Sequence, residues 1–237
     1  MVLKPIFWPK ISLVPFFVFL FCLVMIASSR GIGESYAIFL LPLSDSFHWK
    51  RANVTSIYAV YMIAFGFGSL LSGLVFDRLG PRFNYTIGLG LLTGCYYFAG
   101  YLDSLLSFYL VVGLCGGIGA AMVGIVPTQS LIYRWFKKRR GTILSITYSG
   151  QGLGVMALAP TAQIAIQEVG WQQTYKLASF GFASFLLIII FLPWQRISKG
   201  INEPKIFSDK NVRNTTPQNV PSLTEAIRLP EFWGFFT

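Results

Sequence analysis

Long apolar stretches alternate with short hydrophilic breaks along this chain of 237 residues. A helix that spans a bilayer needs about 20 consecutive, predominantly apolar residues. Six stretches reach that length, and they cover roughly residues 13–41, 54–76, 84–102, 105–133, 142–165 and 174–194. A seventh begins near Pro230 and reaches only Thr237, which is too short to span a membrane. The pattern therefore predicts an all-α polytopic membrane protein with six transmembrane helices.

The cationic residues indicate the orientation of these helices. With the N-terminus placed in the cytoplasm, only Lys50, Arg51 and Lys176 of the 19 lysines and arginines fall on the outer side. Arg30 lies inside the first apolar stretch, and all the others fall on the inner side. Cytoplasmic loops of membrane proteins carry an excess of Lys and Arg. The sequence therefore predicts a cytoplasmic N-terminus.

Composition supports the membrane class and argues against several others. Hydrophobic residues make up 54% of the chain and charged residues 12%, with a mean hydropathy of +0.60. The net charge of +10 lies in the breaks between apolar stretches, so nucleic acid is not a predicted partner. Three cysteines inside apolar stretches and a single histidine give neither a disulfide framework nor a metal site. No nucleophile–base cluster is visible, so we predict no enzyme activity and no cofactor.

A short charged segment lies between the second and third apolar stretches. Its characteristic residues are Gly73, Asp77, Arg78, Gly80 and Arg82. Gly80 and Pro81 force a turn, which places the charged side chains together at one membrane surface. Asp77 could there accept hydrogen bonds from a helix N-terminus or pair with a facing arginine. Gly73 lacks a side chain where another helix could approach. Glycines at the same four-residue spacing, Gly90 with Gly94 and Gly113 with Gly117, predict close helix packing in the third and fourth apolar stretches.

This segment resembles the signature of the major facilitator superfamily, Gly-x3-Asp-(Arg/Lys)-x-Gly-(Arg/Lys)-(Arg/Lys), with Pro81 replacing the first basic residue of the final pair. In that family the segment joins helices 2 and 3 on the cytoplasmic side and helps to latch one conformation. The resemblance implies the N-terminal half of a twelve-helix fold, whose six helices form two inverted three-helix repeats. It also implies a multi-pass protein of the cell membrane, plasma or inner.

The resemblance divides the chain into three parts. Residues 1–195 are expected to form the six-helix transmembrane domain, residues 196–229 a cytoplasmic connector loop, and residues 230–237 the start of a truncated seventh helix. In the family the substrate cavity lies between two six-helix halves, so this chain would supply one wall. We therefore expect a half-length chain that is inactive alone.

Further motifs narrow the resemblance to one branch of the superfamily. They are WFKKRRG at 135–141, SGQGLG at 149–154, AP at 159–160 and VGW at 169–171. These residues look like the monocarboxylate and oxalate:formate branch. Tyr148 and Gln151 could present hydrogen bonds to a ligand, in space opened by the glycines around them. Gly113 stands where proton-coupled drug exporters of the superfamily carry an arginine, so the resemblance does not extend to drug export of that type.

Charged residues interrupt the first apolar stretch. Arg30 and Glu34 lie one helical turn apart near the bilayer midplane, with Tyr36 close behind. A charge at that depth costs about 3 kcal/mol even on the lenient insertion scale, so it needs a partner or a wet cavity. Two interpretations remain open. The pair could neutralise itself and fix helix packing, or Arg30 could meet an anionic substrate while Glu34 tunes its charge or carries a proton.

Two tyrosines of the second apolar stretch form another candidate site. Tyr58 and Tyr61 are three residues apart, on nearly one helix face. They could line a cavity with their hydroxyl groups directed inward, or they could be interfacial aromatic residues at the outer side. The sequence leaves both interpretations open.

The predicted function is secondary active transport of small organic anions, monocarboxylates or small dicarboxylates, by alternating access. Arg30 at membrane depth and the branch resemblance motivate this prediction. The predicted partners are the lipid bilayer, the anion, a proton or counter-anion for coupling, and a second six-helix half. Two alternatives remain: a non-transporting membrane scaffold or regulator, and a half-transporter that works as a homodimer or with a partner half.

Overall fold

The computed structural model describes residues 13–136, 139–192, 194 and 197, and every regular element among them is helical. The α-helices are α1 (Leu13–Glu34), α2 (Tyr36–Phe47), α3 (Arg51–Ala99), α4 (Leu105–Phe108), α5 (Gly116–Val123), α6 (Ile125–Trp135) and α7 (Arg140–Phe191). A π-helical stretch, Tyr109–Cys115, joins α4 to α5. The predicted all-α class is therefore confirmed for this part of the chain. The predicted connector at 196–229, apart from Ile197, and the predicted seventh helix at 230–237 lie outside the described residues.

Within the described part of the chain, four helical stretches are long and apolar enough to cross a membrane, and together they cover all six predicted apolar segments except for up to three residues at a segment end. They are Val14–Phe47, Arg51–Ala99, Leu105–Trp135 and Arg140–Phe191. The first extends to Phe47 and not to residue 41, because the polar residues after Leu43 continue the helix. It ends where His48 adopts the left-handed conformation, with φ of 54°, which is a common way to terminate a helix.

Helix α3 reverses direction at a single residue, Gly80. Its φ of 84° and ψ of 173° belong to a region that only glycine adopts readily. The Ser72 hydroxyl donates to Oδ1 of Asn84 over 3.2 Å, whereas a continuous helix would separate these residues by about 18 Å. Pro81 opens the second arm, where its missing N–H costs nothing. The turn predicted at Gly80 and Pro81 is confirmed, and Gly80 is the one residue inside α3 that departs from helical geometry.

Helix α7 contains the same break at Gly170. Its φ of 82° and ψ of 165° nearly repeat the values at Gly80. We call residues 51–79 and 81–99 the two arms of α3, and residues 140–169 and 171–191 the two arms of α7. In both helices one glycine in a conformation closed to other residues connects two long helical arms.

Small residues allow close packing at some, but not all, of the predicted positions. A Cβ atom built on Gly117 would lie 2.5 Å from the carbonyl oxygen of Tyr61, and one on Gly113 would lie 3.0 Å from Val60. The packing role predicted for these glycines is confirmed. For Gly90 and Gly94 it is wrong within the described chain, because nothing lies within 4 Å of either Cβ position. That face of α3 has no packed neighbour among the described residues.

Three further glycines differ from expectation. A Cβ on Gly73 would meet only Val126 Cγ1, at 3.9 Å, so no helix of the described chain needs the missing side chain there. Gly150 and Gly154 do not open space for a ligand. They pack directly on α1, where Leu23 and the backbone of Ala27 occupy that space. A Cβ on Gly152 would meet nothing within 4 Å, so the glycine run of α7 is a helix contact at two of its three positions and leaves open space at the third.

The fourth apolar stretch is broken at Gly124, between α5 and α6. The break frees backbone carbonyl groups inside the core, and side chains from two other helices satisfy them. Ser29 Oγ donates to the Ala120 carbonyl over 2.7 Å, and Asn84 Nδ2 donates to the Met122 carbonyl over 2.7 Å. Both donors are buried. Because a buried carbonyl without a partner costs about 1–3 kcal/mol, these two bonds stabilise the broken helix.

Candidate functional site

The charged pair of the first apolar stretch forms an ion pair. Arg30 Nη2 lies 3.2 Å from Glu34 Oε1, one turn further along α1. Among the residues that the structure describes, this is the only ion pair. The Arg30 side chain is 25% exposed and that of Glu34 38% exposed, so both remain accessible to a ligand. The pair is thus neither sealed in the core nor fully at the surface.

Helix α3 completes the surroundings of this pair. The Tyr58 hydroxyl donates to the second carboxylate oxygen of Glu34 over 3.0 Å. The guanidinium of Arg30 lies over the ring of Phe65, with Cζ 5.4 Å from the ring centroid. A cation over an aromatic face gains about 0.5–2 kcal/mol, depending on desolvation. Each charged group therefore has one partner on α1 and a second one on α3. We call Arg30, Glu34, Tyr58 and Phe65 the charged cluster.

An aromatic stack extends from the charged cluster. The rings of Tyr36, Tyr58, Tyr61 and Phe65 stack in that order, with successive centroids 6.0, 5.9 and 6.5 Å apart. The Tyr36 hydroxyl donates to the Val54 carbonyl over 2.9 Å. Tyr61 is buried, and its hydroxyl oxygen lies only 2.5 Å from the position that a Cβ atom on Gly33 would occupy. The stack fixes the side chain that holds Glu34 in position.

Tyr148 and Gln151 lie at a different level of the fold. Gly150 packs on Leu23, and Gly31 packs on Leu158 and Gly154, so α1 and the first arm of α7 run in the same direction. Tyr148 then lies about nine residues below the level of Arg30, or roughly 13 Å along the helix axis. Its hydroxyl accepts a hydrogen bond from Gln129 of α6. Gln151 is half-buried. These two candidates form a second polar level, apart from the charged cluster.

The charged residues of the turn lie around Gly80, where the two arms of α3 meet. Asp77, Arg78 and Arg82 are exposed, and Asp77 has no ion pair within the described part of the chain. Arg134, at the end of α6, lies over the ring of Phe76, with Cζ 5.1 Å from the centroid. The basic residues 137 and 138, which follow α6, lie outside the described residues. A pairing of Asp77 stays a prediction.

Sequence reasoning missed three residues of these sites. Phe65 follows Tyr58 and Tyr61 at the spacing of one helix face, and that spacing was the signal for it. Gln129 is an isolated amide in an apolar helix, a residue type that marks functional or packing contacts at membrane depth. Gly33 gave no signal beyond being small. The contact of Gly33 with Tyr61 depends on how α1 crosses α3, which a linear pattern does not contain.

The model of one protein family matches almost the whole chain. The Major Facilitator Superfamily model covers residues 6–237. The chain therefore belongs to the major facilitator superfamily, as its charged turn indicates. This membership also confirms the predicted localisation, a multi-pass membrane protein.

Several curated proteins are similar to the chain. The "Uncharacterized MFS-type transporter YcxA" of Bacillus subtilis is 28% identical over 73% of this chain and 43% of its own length. "Monocarboxylate transporter 7" of Homo sapiens is 25% identical over 76% of this chain and 34% of its own length. The "Oxalate:formate antiporter" of Oxalobacter formigenes is 22% identical over 93% of this chain and 49% of its own length. The branch resemblance stated above is thus confirmed.

A solved structure has the same fold. The "proton:xylose symporter XylE" superposes with a TM-score of 0.66 at 15% identity, over 77% of this chain and 45% of that chain. At this identity the likeness shows the fold alone. The chain spans between about a third and a half of the length of these relatives. Each match is therefore to one part of a longer transporter.

Proposed function

We propose that this chain is the N-terminal half of a secondary transporter that moves small organic anions by alternating access. The observation that carries the proposal is the charged cluster, in which a partly exposed arginine is held by a carboxylate inside an apolar helix. Relatives named as monocarboxylate transporters and as an oxalate:formate antiporter support the substrate class. Monocarboxylates and small dicarboxylates both fit it, and either a proton or a counter-anion is a candidate coupling partner.

Six membrane crossings, in two inverted three-helix repeats, are part of this proposal. Helices α3 and α7 have 49 and 52 residues, so each would be roughly 75 Å long if straight. The hydrocarbon core of a bilayer is about 30 Å thick. The glycine breaks divide each helix into two arms of sufficient length, which gives two crossings each. The first and fourth stretches supply the other two.

A cytoplasmic N-terminus also belongs to the proposal. Arg78, Arg82 and Arg134 lie at one end of their helices. Lys50 and Arg51 lie at the other end, where α3 begins. Cytoplasmic ends are enriched in Lys and Arg. This distribution supports placing the Gly80 turn in the cytoplasm and the Gly170 turn outside.

The cluster suggests how an anion would bind. Arg30 has donors beyond the one directed at Glu34, because a guanidinium carries five N–H groups. A substrate carboxylate can take some of these donors in a bidentate geometry. Protonation of Glu34 would free Arg30 further, while Tyr58 keeps the carboxyl group in place through its hydroxyl. Glu34 would then set the charge of the site, and Arg30 would hold the substrate.

The test is carboxylate uptake by a twelve-helix protein that contains this chain, with Arg30 changed to Gln. Losing a charge-assisted hydrogen bond of about 1.5–3 kcal/mol weakens substrate affinity roughly 10- to 150-fold. Arg134→Gln is the matched control, because it removes the same charge and a similar contact with an aromatic ring, Phe76. We expect Arg134→Gln to leave the substrate affinity within about twofold of the parent.

Two results would contradict the proposal. Unchanged affinity in the Arg30→Gln protein would leave the cluster with a packing role and favour the scaffold or regulator alternative. Uptake by vesicles that contain the chain alone would contradict the half-transporter assignment. It would instead favour a homodimer, and chemical cross-linking in the membrane would then detect the paired subunits.

A further inference from the structure

The charged cluster holds one cation for a ligand. That cation is Arg30, whose Nη2 lies 3.2 Å from Glu34 Oε1. The other lysines and arginines that the structure describes lie near helix ends and turns, except for Lys176. The Nζ atom of Lys176 lies over the ring of Tyr101, 4.0 Å from its centroid. Within the described residues, a second carboxylate on the same ligand would therefore find no cation of its own.

Glu34 is held through both of its carboxylate oxygens. Oε1 pairs with Arg30, and Oε2 accepts the hydrogen bond from Tyr58 over 3.0 Å. The rings of Tyr36 and Tyr61, stacked on either side of Tyr58, hold that donor in place. The carboxylate therefore cannot turn away from an incoming anion without losing two interactions. Its side chain is also more exposed than that of Arg30, so a ligand that reaches the cation meets the negative charge as well.

The aromatic rings beside the cation offer little to a second carboxylate. Phe65 has no polar side-chain atom, and its ring faces the guanidinium. A phenolic hydroxyl group has a single proton to donate. That of Tyr58 goes to Glu34, over 3.0 Å. That of Tyr36 goes to the Val54 carbonyl, over 2.9 Å. These surroundings suit the hydrocarbon part of a ligand and not another charge.

We propose that the charged cluster selects carboxylates of single charge, and that Glu34 is the residue that rejects a second carboxylate. Because Glu34 lies next to Arg30, a short dicarboxylate bound to Arg30 through one end keeps its other end within Coulombic reach of Glu34. This repulsion adds to the lack of a second cation. The inference rests on the proposed transport of organic anions, and it narrows their class from mono- and dicarboxylates to monocarboxylates.

The test compares butyrate with succinate, in which a second carboxylate replaces the methyl group of butyrate. Each competes with radiolabelled butyrate for a purified twelve-helix protein that contains this chain, at pH 7.5, where succinate carries two charges. Equilibrium competition measures binding alone, so effects on turnover or coupling do not enter the result. We expect the parent protein to bind butyrate at least about tenfold more tightly than succinate.

Glu34→Gln removes the negative charge and nearly preserves the shape of the side chain. It should reduce the preference for butyrate over succinate about tenfold, because the repulsion of the second carboxylate is lost. Glu34→Asp retains the charge and should retain most of the preference. The matched control is Glu168→Gln, the same change at an exposed residue outside the charged cluster. Its preference should stay within about twofold of the parent.

A parent protein that binds succinate as tightly as butyrate would overturn the inference, and this result does not depend on any variant folding. An unchanged preference in the Glu34→Gln protein would overturn it too, because a purely structural role weakens both ligands equally. If Arg30→Gln weakens butyrate binding while Glu34→Gln leaves the preference unchanged, only this inference fails. If butyrate does not bind the parent, or binds the Arg30→Gln protein equally well, the transport proposal fails with it.

Discussion

The two long helices make the same turn and then pack in different ways. Gly80 in α3 and Gly170 in α7 have nearly the same conformation, with φ of 84° and 82° and ψ of 173° and 165°. Beyond the turn, the arms of α3 are joined by the buried hydrogen bond from Ser72 to Asn84. The arms of α7 share no such bond among the described residues, and a cavity of about 330 Å³ lies between them and the α1–α2 region. Both turns use the same glycine conformation, and the side chains decide whether the two arms are joined by a hydrogen bond, as in α3, or leave a cavity beside them, as in α7. We call the hydrogen bond between Ser72 and Asn84 the polar lock of α3.

The charges at the two turns differ as well. Asp77, Arg78 and Arg82 surround Gly80, whereas Glu168 is the one charged residue within three positions of Gly170. Both sets are exposed. The glycine conformation is therefore sufficient for the turn, and the charges at Gly80 are needed for something else. Orientation in the membrane and the latching implied by the family resemblance are the two candidates.

Removing the polar lock of α3 is expected to have the largest effect. Asn84 is fully buried and bonds both Ser72 and the Met122 carbonyl. Asn84→Ala leaves two buried polar groups without this partner, and should lower the free energy of unfolding by about 3 kcal/mol. The measurement is equilibrium unfolding in mixed detergent micelles.

Ser179→Ala is the matched change on α7, where the hydroxyl donates only to the Thr93 carbonyl, over 2.8 Å. We expect it to cost about 1 kcal/mol. If the two variants lost equal stability, the hydrogen bonds of Asn84 would contribute no more to the fold than the single bond by which Ser179 of α7 contacts α3.

A second prediction concerns the shared backbone. Alanine at position 80 or position 170 must adopt a conformation that is nearly closed to residues with a side chain. Each substitution should lower the free energy of unfolding by about 1–3 kcal/mol, and by similar amounts. Gly66→Ala, in the helical part of α3, is the control and should stabilise slightly. A large cost at one turn only would show that the two turns are not equivalent.

The smallest expected effect on stability is that of the turn charges. Asp77→Asn and Glu168→Gln remove one exposed carboxylate each, and exposed substitutions usually change stability by less than about 0.5 kcal/mol. Transport should separate the two variants. In a twelve-helix protein that contains this chain, Asp77→Asn should lower the uptake rate, and Glu168→Gln should not. Equal uptake rates would leave the charges at Gly80 with a topological role only.

Much of the fold was predictable from local patterns. Apolar stretches located the helices because a bilayer imposes one length scale. The turn at Gly80 was predictable because glycine before proline is a local signal. The break at Gly124 was not, since its freed carbonyls are satisfied by Ser29 and Asn84, from distant parts of the chain. A helix break inside a core depends on such tertiary partners.

The candidate site was predictable in part. Arg30, Glu34 and Tyr58 stand out because ionisable and hydroxyl groups are rare at membrane depth. Their meeting depends on how α1 crosses α3, and so does the position of Phe65. The spacing of Gly90 and Gly94 suggested a helix contact that the described chain lacks. A small-residue motif shows where packing is possible and does not show which surface uses it.

The contact between Gly33 and Tyr61 has an evolutionary consequence. A Cβ at position 33 would lie 2.5 Å from the Tyr61 hydroxyl oxygen, and the stacked rings of Tyr58 and Phe65 on either side hold Tyr61 in place. Any larger residue at position 33 therefore requires a shorter one at position 61. Among homologous sequences, these two positions are expected to change together, and a lineage that loses Gly33 should also have lost the tyrosine that supports the charged cluster.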